Sequence, residues 1–429
     1  MEEQKQKKKV LIITYRVMSF LQPSLRLLGL TRYLPEYGWE PIVLAPLQPG
    51  ENDLRCSVVE TTYNEPLHFW RHLLRSRLNE NASTDIVQHA RTTSSHRYID
   101  QVIRLAGSII DYPDTFKGWR SPGIQRGKEI VQMERIDALI SSSAPVTSHI
   151  IAREIKRQTS IPWVADFRDL WTQNQVYSHG PIRKIFESRL EKNVISTADA
   201  LVTVSVPLTD KLARFHKRDR GVYSIPNGFE IHDANPVSTT VRPVFSITYT
   251  GRVYPQMNPK MFFKALCNLI SENTIKPEEI EVNFYGPYED WVQEEINVYG
   301  LSHIVRQHGV IPRHEAIKRQ AESQLLLLLK WQDPQELGIY SGKVFEYLAA
   351  QRPILAVGGV SDVVDDLMNE TNAGLCVSRI EDIKAAIMEF YQEYKLTGQV
   401  TFQGSQSKIN TYSHQEMAHR FSNILNSLI

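Results

Sequence analysis

From Gly338 to Pro353 the chain reads Gly338-Ile339-Tyr340-Ser341-Gly342-Lys343-Val344-Phe345-Glu346-Tyr347-Leu348-Ala349-Ala350-Gln351-Arg352-Pro353. Just before it stand the consecutive leucines Leu325–Leu329, closed by Lys330. An unbroken apolar run of that length predicts a strand buried on both faces. Residues 344–350 are good helix formers, and Arg352-Pro353 stops them. Residues 354–357 then start the next strand. The Tyr340-Ser341-Gly342-Lys343 turn therefore opens a helix whose first amides have no helical partner. It does so beside the carboxyl end of a buried strand, where open α/β sheets bind anionic ligands. Small residues also cap helices with no ligand present.

The same alternation runs through most of the chain. Residues 10–15 form an apolar strand, and Leu27, Leu28, Leu30 and Leu34 follow at helical spacing. Gly38 ends that helix, and residues 41–45 form a second strand. This β-α-β unit predicts a parallel sheet with right-handed crossovers. Further strands are expected at 138–142, 162–167, 200–205 and 222–226, with helices at 182–197 and 207–215. Residues 230–243 are polar and irregular, and read as a linker. A second series has strands at 245–250, 281–285, 325–329, 354–357 and 374–377. Its helices are expected at 259–271, 314–321, 343–350 and 380–396, and a helical tail at 414–428. The expectation is two doubly wound Rossmann-like α/β domains facing across a cleft: 1–232, with an insertion at about 58–132, and 244–405. A C-terminal helix, 406–429, crosses back to the first.

Composition excludes several function classes. The chain has 429 residues and a net charge of +1, which points neither to nucleic acid nor to strong membrane attraction. Its three cysteines are widely spaced, giving no disulfide frame or Cys-based metal site and fitting a reducing cytosol. No apolar run suits a membrane span. The segment from His68 to Leu78 has a basic stripe (His68, Arg71, His72, Arg75) and an apolar face (Phe69, Trp70, Leu73, Leu74, Leu78). Such a helix can lie on an anionic membrane, or pack its apolar face on a core. The expected location is cytoplasmic, at most peripheral at the inner face of the membrane.

Neither half carries Gly-x-Gly-x-x-Gly after its first strand, a P-loop, an Asp-x-Asp triplet or a metal-ligand spacing of histidines. The second half instead offers Arg252, Lys330, Lys343 and an open helix start, which can converge on a diphosphate. Glu346 lies one turn beyond Lys343. It can accept two ribose hydroxyls or pair with Lys343. In the first half His149, Asp166 and Arg168 share one predicted sheet edge, where loop polar groups tend to be functional. The plainer readings are that His149 caps its helix and that Asp166 pairs with Arg168.

Together these residues resemble the GT-B glycosyltransferases, and within them the retaining family 4 group of bacterial polysaccharide synthesis. The resemblance runs through Arg26 to Gly38-Trp39-Glu40-Pro41, residues 137–149, and Trp163-Val164-Ala165-Asp166-Phe167-Arg168-Asp169-Leu170-Trp171. It continues through Ile225-Pro226-Asn227-Gly228, Thr250-Gly251-Arg252 and Gly342-Lys343-Val344-Phe345-Glu346-Tyr347-Leu348-Ala349.

The resemblance implies that the second domain binds a nucleotide sugar, with uridine a common donor base. It implies a catalytic set of His149, Arg252 and Glu346, with His149 close to the reacting carbon and Glu346 on the ribose. The diphosphate would meet Arg252, Lys330, Ser341, Gly342 and Lys343, and the nucleoside the loop at Gly309 and Val310. Arg26, Asp166 and Arg168 would lie on the acceptor side. No cofactor or metal is implied; the partners are the donor and a glycan or lipid-linked acceptor.

Three departures stand against the family pattern. Gly338 occupies the first position of the family's acidic pair. Met257-Asn258 stands where the family has a lysine. The loop at 16–23 lacks the family's glycines. These motivate two alternatives, a non-catalytic nucleotide-sugar-binding subunit and a GT-B nucleotide-sugar epimerase.

Overall fold

The structure is a computed structural model describing residues 7–15, 25–48, 54–63, 111–174, 177, 179–231 and 241–429. The loop at 16–23 and the segment from His68 to Leu78 lie outside the described residues, as does most of the expected linker. Hydrophobic period sorts the rest into two parallel sheets. The first holds β1 (Lys8–Ile13), β2 (Trp39–Pro46), β3 (Ser57–Thr61), β4 (Ala138–Ser143), β5 (Trp163–Phe167), β6 (Ala200–Thr203) and β7 (Val222–Ser224). Their order is β3-β2-β1-β4-β5-β6-β7. The second holds β8 (Phe245–Thr250), β9 (Ile280–Tyr285), β10 (Val305–Gln307), β11 (Leu325–Leu329), β12 (Ile354–Val357) and β13 (Gly374–Val377), in the order β10-β9-β8-β11-β12-β13. Every pairing between these strands is parallel.

The leucine strand shows how sequence becomes layer. Successive strand side chains point to opposite faces. Leu325, Leu327 and Leu329 enter one apolar cluster, with Phe245, Ile247, Phe263 and Ile387. Leu326 and Leu328 enter the other, with Val344, Phe345, Leu348 and Leu367. Both faces are covered by helices, so every position can be leucine.

Strand order also fixes where a ligand can sit. β1 lies between β2 and β4, and β8 between β9 and β11. At each place the chain reverses its direction of winding, and the crossovers on either side leave opposite faces of the sheet. A crevice opens there at the carboxyl ends of the strands.

The chain divides into two compact units, Met1–Thr203 with Thr209–Ser224 and Phe421–Ile429, and Val204–Leu208 with Ile225–Arg420. The last helix, His414–Ser427, begins in the second unit and ends in the first. Phe229 pairs with Ser413 just ahead of it. Sequence reasoning did not anticipate β3 or the helices Arg120–Glu134 and Asp290–Val298, and the expected C-terminal helix 406–429 is broken into Gln406–Asn410 and His414–Ser427. Arg120–Glu134 carries Gly123 and Gly127, which read as breakers. In the structure a Cβ at Gly123 would sit 2.7 Å from Ile151 Cδ1, and one at Gly127 would collide with Ile155. The glycines let this helix press against the helix Thr147–Thr159.

Leu327→Ala and Leu328→Ala are each expected to lower unfolding free energy by about 2–5 kcal/mol. Denaturant titration tests this, and a loss from only one of the two would show that one face of the strand is not packed.

Candidate donor and acceptor sites

The second unit gathers three loops at the carboxyl edge of its sheet. After β8 the chain turns at Gly251 (φ +98°), after β9 at Gly286, and after β10 at Gly309 (φ +80°). Gly251 N donates to Tyr285 O at 2.6 Å, and Gly286 N to Gly309 O at 3.0 Å. These bonds extend the ladder past the strands and hold the loops side by side. A Cβ on Gly286 would collide with Gly251 O, so the position requires glycine.

Lys343 leans into this edge from the first turn of the helix Gly342–Ala350. Its Cε would lie 2.6 Å from a Cβ on Gly251, and its Nζ sits 5.1 Å from the centre of the Tyr249 ring. The nearest oxygen is Arg252 O at 3.4 Å, a long contact. Among the described residues Lys343 has no carboxylate at ion-pair distance, because Glu346 pairs elsewhere: Arg313 Nε lies 3.5 Å from Oε1 and Gln320 Nε2 3.4 Å from Oε2. Burial therefore dominates and pulls the Lys343 ammonium down to about 8, with Glu346 opposing weakly.

Ser341, the residue before that helix, makes no side-chain bond to the turn it opens, and Gly342 is exposed. The amides of Gly342 and Lys343 open the helix, and their helical partners would lie before it begins. Arg252 has an open side chain (54% exposed) held loosely by Glu289 at 3.5 Å. His308 stacks on Tyr285 at 4.5 Å and bonds Asn283 at 2.7 Å. This fixes the loop bearing Gly309 and the exposed Val310.

Arg252, Ser341, Gly342, Lys343, Glu346, Gly309 and Val310 thus all belong to one edge of one sheet. Lys330 does not present its charge there. It is buried, bonded to Val360 O at 2.8 Å, with Asp362 at 3.3 Å and Asp365 closer still. Burial pulls its ammonium down, but the two carboxylates outweigh that and hold it above the ordinary range. Expected at a diphosphate, Lys330 instead ties β11 to the capped start of the helix Val363–Thr371. Glu289, Arg313 and Gln320 were missed because only the tertiary fold reveals what they hold.

In the first unit the expected polar groups face inward. Arg26 Nη2 meets Asp166 Oδ1 at 2.8 Å with both side chains buried, and Ser142 Oγ donates to Asp166 Oδ2 at 2.9 Å. Arg26 also lies 5.1 Å from the Phe421 ring. Arg168 does not pair with Asp166; it donates to the carbonyls of Ser143 at 2.9 Å and Ala144 at 3.0 Å. His149, expected near a reacting carbon, is instead fully buried inside the helix Thr147–Thr159. Its Nδ1 shares a 2.7 Å hydrogen bond with Ser141 Oγ, which accepts from Trp163 Nε1, and its ring lies 4.6 Å from Phe167. Burial takes its imidazole down to about 3, so it is neutral at physiological pH.

No protein-family model and no curated protein matches the sequence. Solved structures do match the fold. The sucrose-phosphate synthase of Thermosynechococcus elongatus superposes with a TM-score of 0.61 at 14% identity, over 98% of this chain and 99% of that one. A Rickettsia africae glycosyltransferase gives 0.64 at 13% identity, over 98% of each chain. Anabaena HepE, solved with UDP, gives 0.61 at 13% identity, over 98% of this chain and all of that one. The fold is GT-B. At such identities the likeness establishes the architecture, and the chemistry has to be argued from the residues.

Removing the carboxylate from the buried Arg26–Asp166 pair by Asp166→Ala should lower unfolding free energy by about 3–5 kcal/mol. A denaturant midpoint within error of the parent would show that the pair does not carry the first unit's edge.

Proposed function

We propose that the protein is a retaining glycosyltransferase that moves a sugar from a nucleoside-diphosphate sugar to a hydroxyl of a glycan or lipid-linked acceptor. The observation that carries this reading is Lys343: a half-buried cation with no carboxylate at ion-pair distance among the described residues, set beside the Arg252 carbonyl and an open helix start. A diphosphate supplies the missing counter-charge. The GT-B structures that align over nearly the whole chain, HepE with UDP among them, support the same reading.

In this reaction the bond between the anomeric carbon and the diphosphate oxygen breaks, and its electron pair leaves with the diphosphate. Arg252, Lys343 and the amides of residues 341–343 stabilise that charge. Preorganised donors of this kind are worth about 3–4 kcal/mol each in barrier height. The acceptor oxygen bonds the same face of the carbon and passes its proton to the departing phosphate oxygen. Glu346, held by Arg313 and Gln320, accepts the ribose hydroxyls, and the loop at Gly309 and Val310 borders the base. Lys343 takes the role of the absent family lysine at Met257-Asn258. His149, sealed in the core, keeps a structural role in this scheme, as do Arg26 and Asp166. Arg168 remains the acceptor-side cation of the first unit.

One observation favours a second reading, the nucleotide-sugar-binding subunit without turnover. Gly338 O accepts from Ser205 Oγ at 2.7 Å, and a Cβ there would lie 2.9 Å from both Ser205 Oγ and Leu208 Cγ. The carboxylate usual at this position has no room. Slow hydrolysis of the donor by the purified protein supports the enzyme; donor binding with no turnover across an acceptor panel supports the subunit.

Arg252→Ala should reduce turnover on the order of a hundredfold, measured as nucleotide released per enzyme, and unchanged turnover would remove Arg252 from the mechanism. The affinity for UDP should also depend on pH. Lys343 is charged below about 8 and loses its proton above it, while a bound diphosphate holds the proton on. Calorimetric affinity should therefore fall as pH rises through about 8, and Lys343→Met should bind weakly with a flat profile over that interval.

A further inference from the structure

The helix Pro181–Ile195 has an outward face that stays exposed among the described residues of the first unit. Ile182, Ile185 and Phe186 are 73%, 53% and 55% exposed. They stand at i, i+3 and i+4, one stripe along the helix, and exposed Arg189 continues it at i+7. A lone exposed apolar side chain needs no explanation, but three adjoining ones mark a surface that is covered in use.

The charges on this helix are sorted by side. Both carboxylates turn inward. Glu187 takes Arg183 and Tyr177, and Glu191 takes Thr172 and His216. The exposed charged residues, Lys184, Arg189 and Lys192, are all cations. Lys184 lies over the Tyr177 ring at 5.4 Å and Lys192 over the Phe215 ring at 4.6 Å. None of the three has an ion-pair partner among the described residues. The helix is also fixed in place, because Arg183 donates to Asp111 O and Pro113 O and Tyr112 donates to Phe186 O. An apolar ridge flanked only by positive charge suits an interface that is apolar within and anionic at its surface.

We propose that the face made by Ile182, Ile185, Phe186 and Arg189 docks on an anionic lipid bilayer. The apolar side chains enter the headgroup boundary, and Lys184, Arg189 and Lys192 meet lipid phosphates, their aliphatic stems lying along the apolar layer. No helix among the described residues is long and apolar enough to cross a membrane, so the contact is peripheral. The residues of this surface are distant in sequence from the segment His68 to Leu78, and the proposal stands independently of the donor-site reading.

The test is co-sedimentation of the full chain with vesicles of phosphatidylcholine alone, or with about a third phosphatidylglycerol. The parent should bind the anionic vesicles and be released as NaCl rises to about 0.5 M. Ile185→Ser with Phe186→Ser, and separately Lys184→Gln with Arg189→Gln, should each reduce binding on the order of tenfold. Both pairs should leave the melting temperature and UDP affinity unchanged. The charge pair alters only exposed side chains and keeps the test open if the apolar pair folds poorly. Equal binding to neutral and anionic vesicles overturns the proposal, as does parental binding by both pairs. A concentration-dependent dimer that the apolar pair abolishes also overturns it, assigning the face to a second copy of the chain.

Discussion

A half-buried lysine without a carboxylate partner among the described residues is the constraint on which the second unit's carboxyl edge depends. Lys343 and Lys330 make the contrast concrete. Both leave water, and desolvation pushes both toward the neutral form. For Lys330 two aspartates more than offset that push; for Lys343 Glu346 opposes it without overcoming it, and the one hydrogen bond shown is to a carbonyl at 3.4 Å. The first arrangement is closed and serves to pin the helix Val363–Thr371. The second leaves the charge without a carboxylate among the described residues, which is the ground for proposing a diphosphate there. The backbone is shaped to permit this, since any side chain at Gly251 would push against the Lys343 stem.

The first unit answers the same topology differently. Its switch point also lies at the carboxyl ends of central strands, yet several of the polar groups nearby bond one another, while His149 Nε2 and Ser143 Oγ stay buried without a partner among the described residues. Asp166 holds Arg26 and Ser142, while Ser141 links His149 to Trp163. A buried charged pair is costly unless it is paired well, and here both oxygens of Asp166 are used. This edge is therefore built to be rigid. The group it leaves at the surface is Arg168, which two carbonyls hold at the loop after β5.

Much of this was readable before any coordinates. An all-leucine strand, helices ending at Gly38 and Arg352-Pro353, and alternation through both halves were enough for two doubly wound sheets. Lys343, Arg252 and Glu346 were legible because each follows a strand or opens a helix, and topology brings such positions to one edge. What stayed hidden depends on distance through space. Nothing in Lys330 marks its aspartates, which arrive from more than thirty residues onward. His149 looked functional because it follows a strand-end loop, yet a helix entering the core at that angle buries its first turn. The helix Arg120–Glu134 was missed for the opposite reason: its glycines cost local propensity, and what repays that cost is contact with Ile151 and Ile155.

Gly338 shows how far a departure from family pattern can be read. In isolation a glycine in place of an acid reads as decay of a site. In the structure its carbonyl is bonded by Ser205, and the space a side chain would need is taken by Ser205 and Leu208. The serine hydrogen bond and the leucine side chain fill that space. Meanwhile the groups suited to phosphate a few residues on, Ser341, Gly342 and Lys343, keep an open helix start and an uncompensated charge. The two ends of this short loop are thus under different demands: one is sealed by packing, and the other opens a helix with a half-buried lysine in its first turn, the end at which the proposed diphosphate would sit.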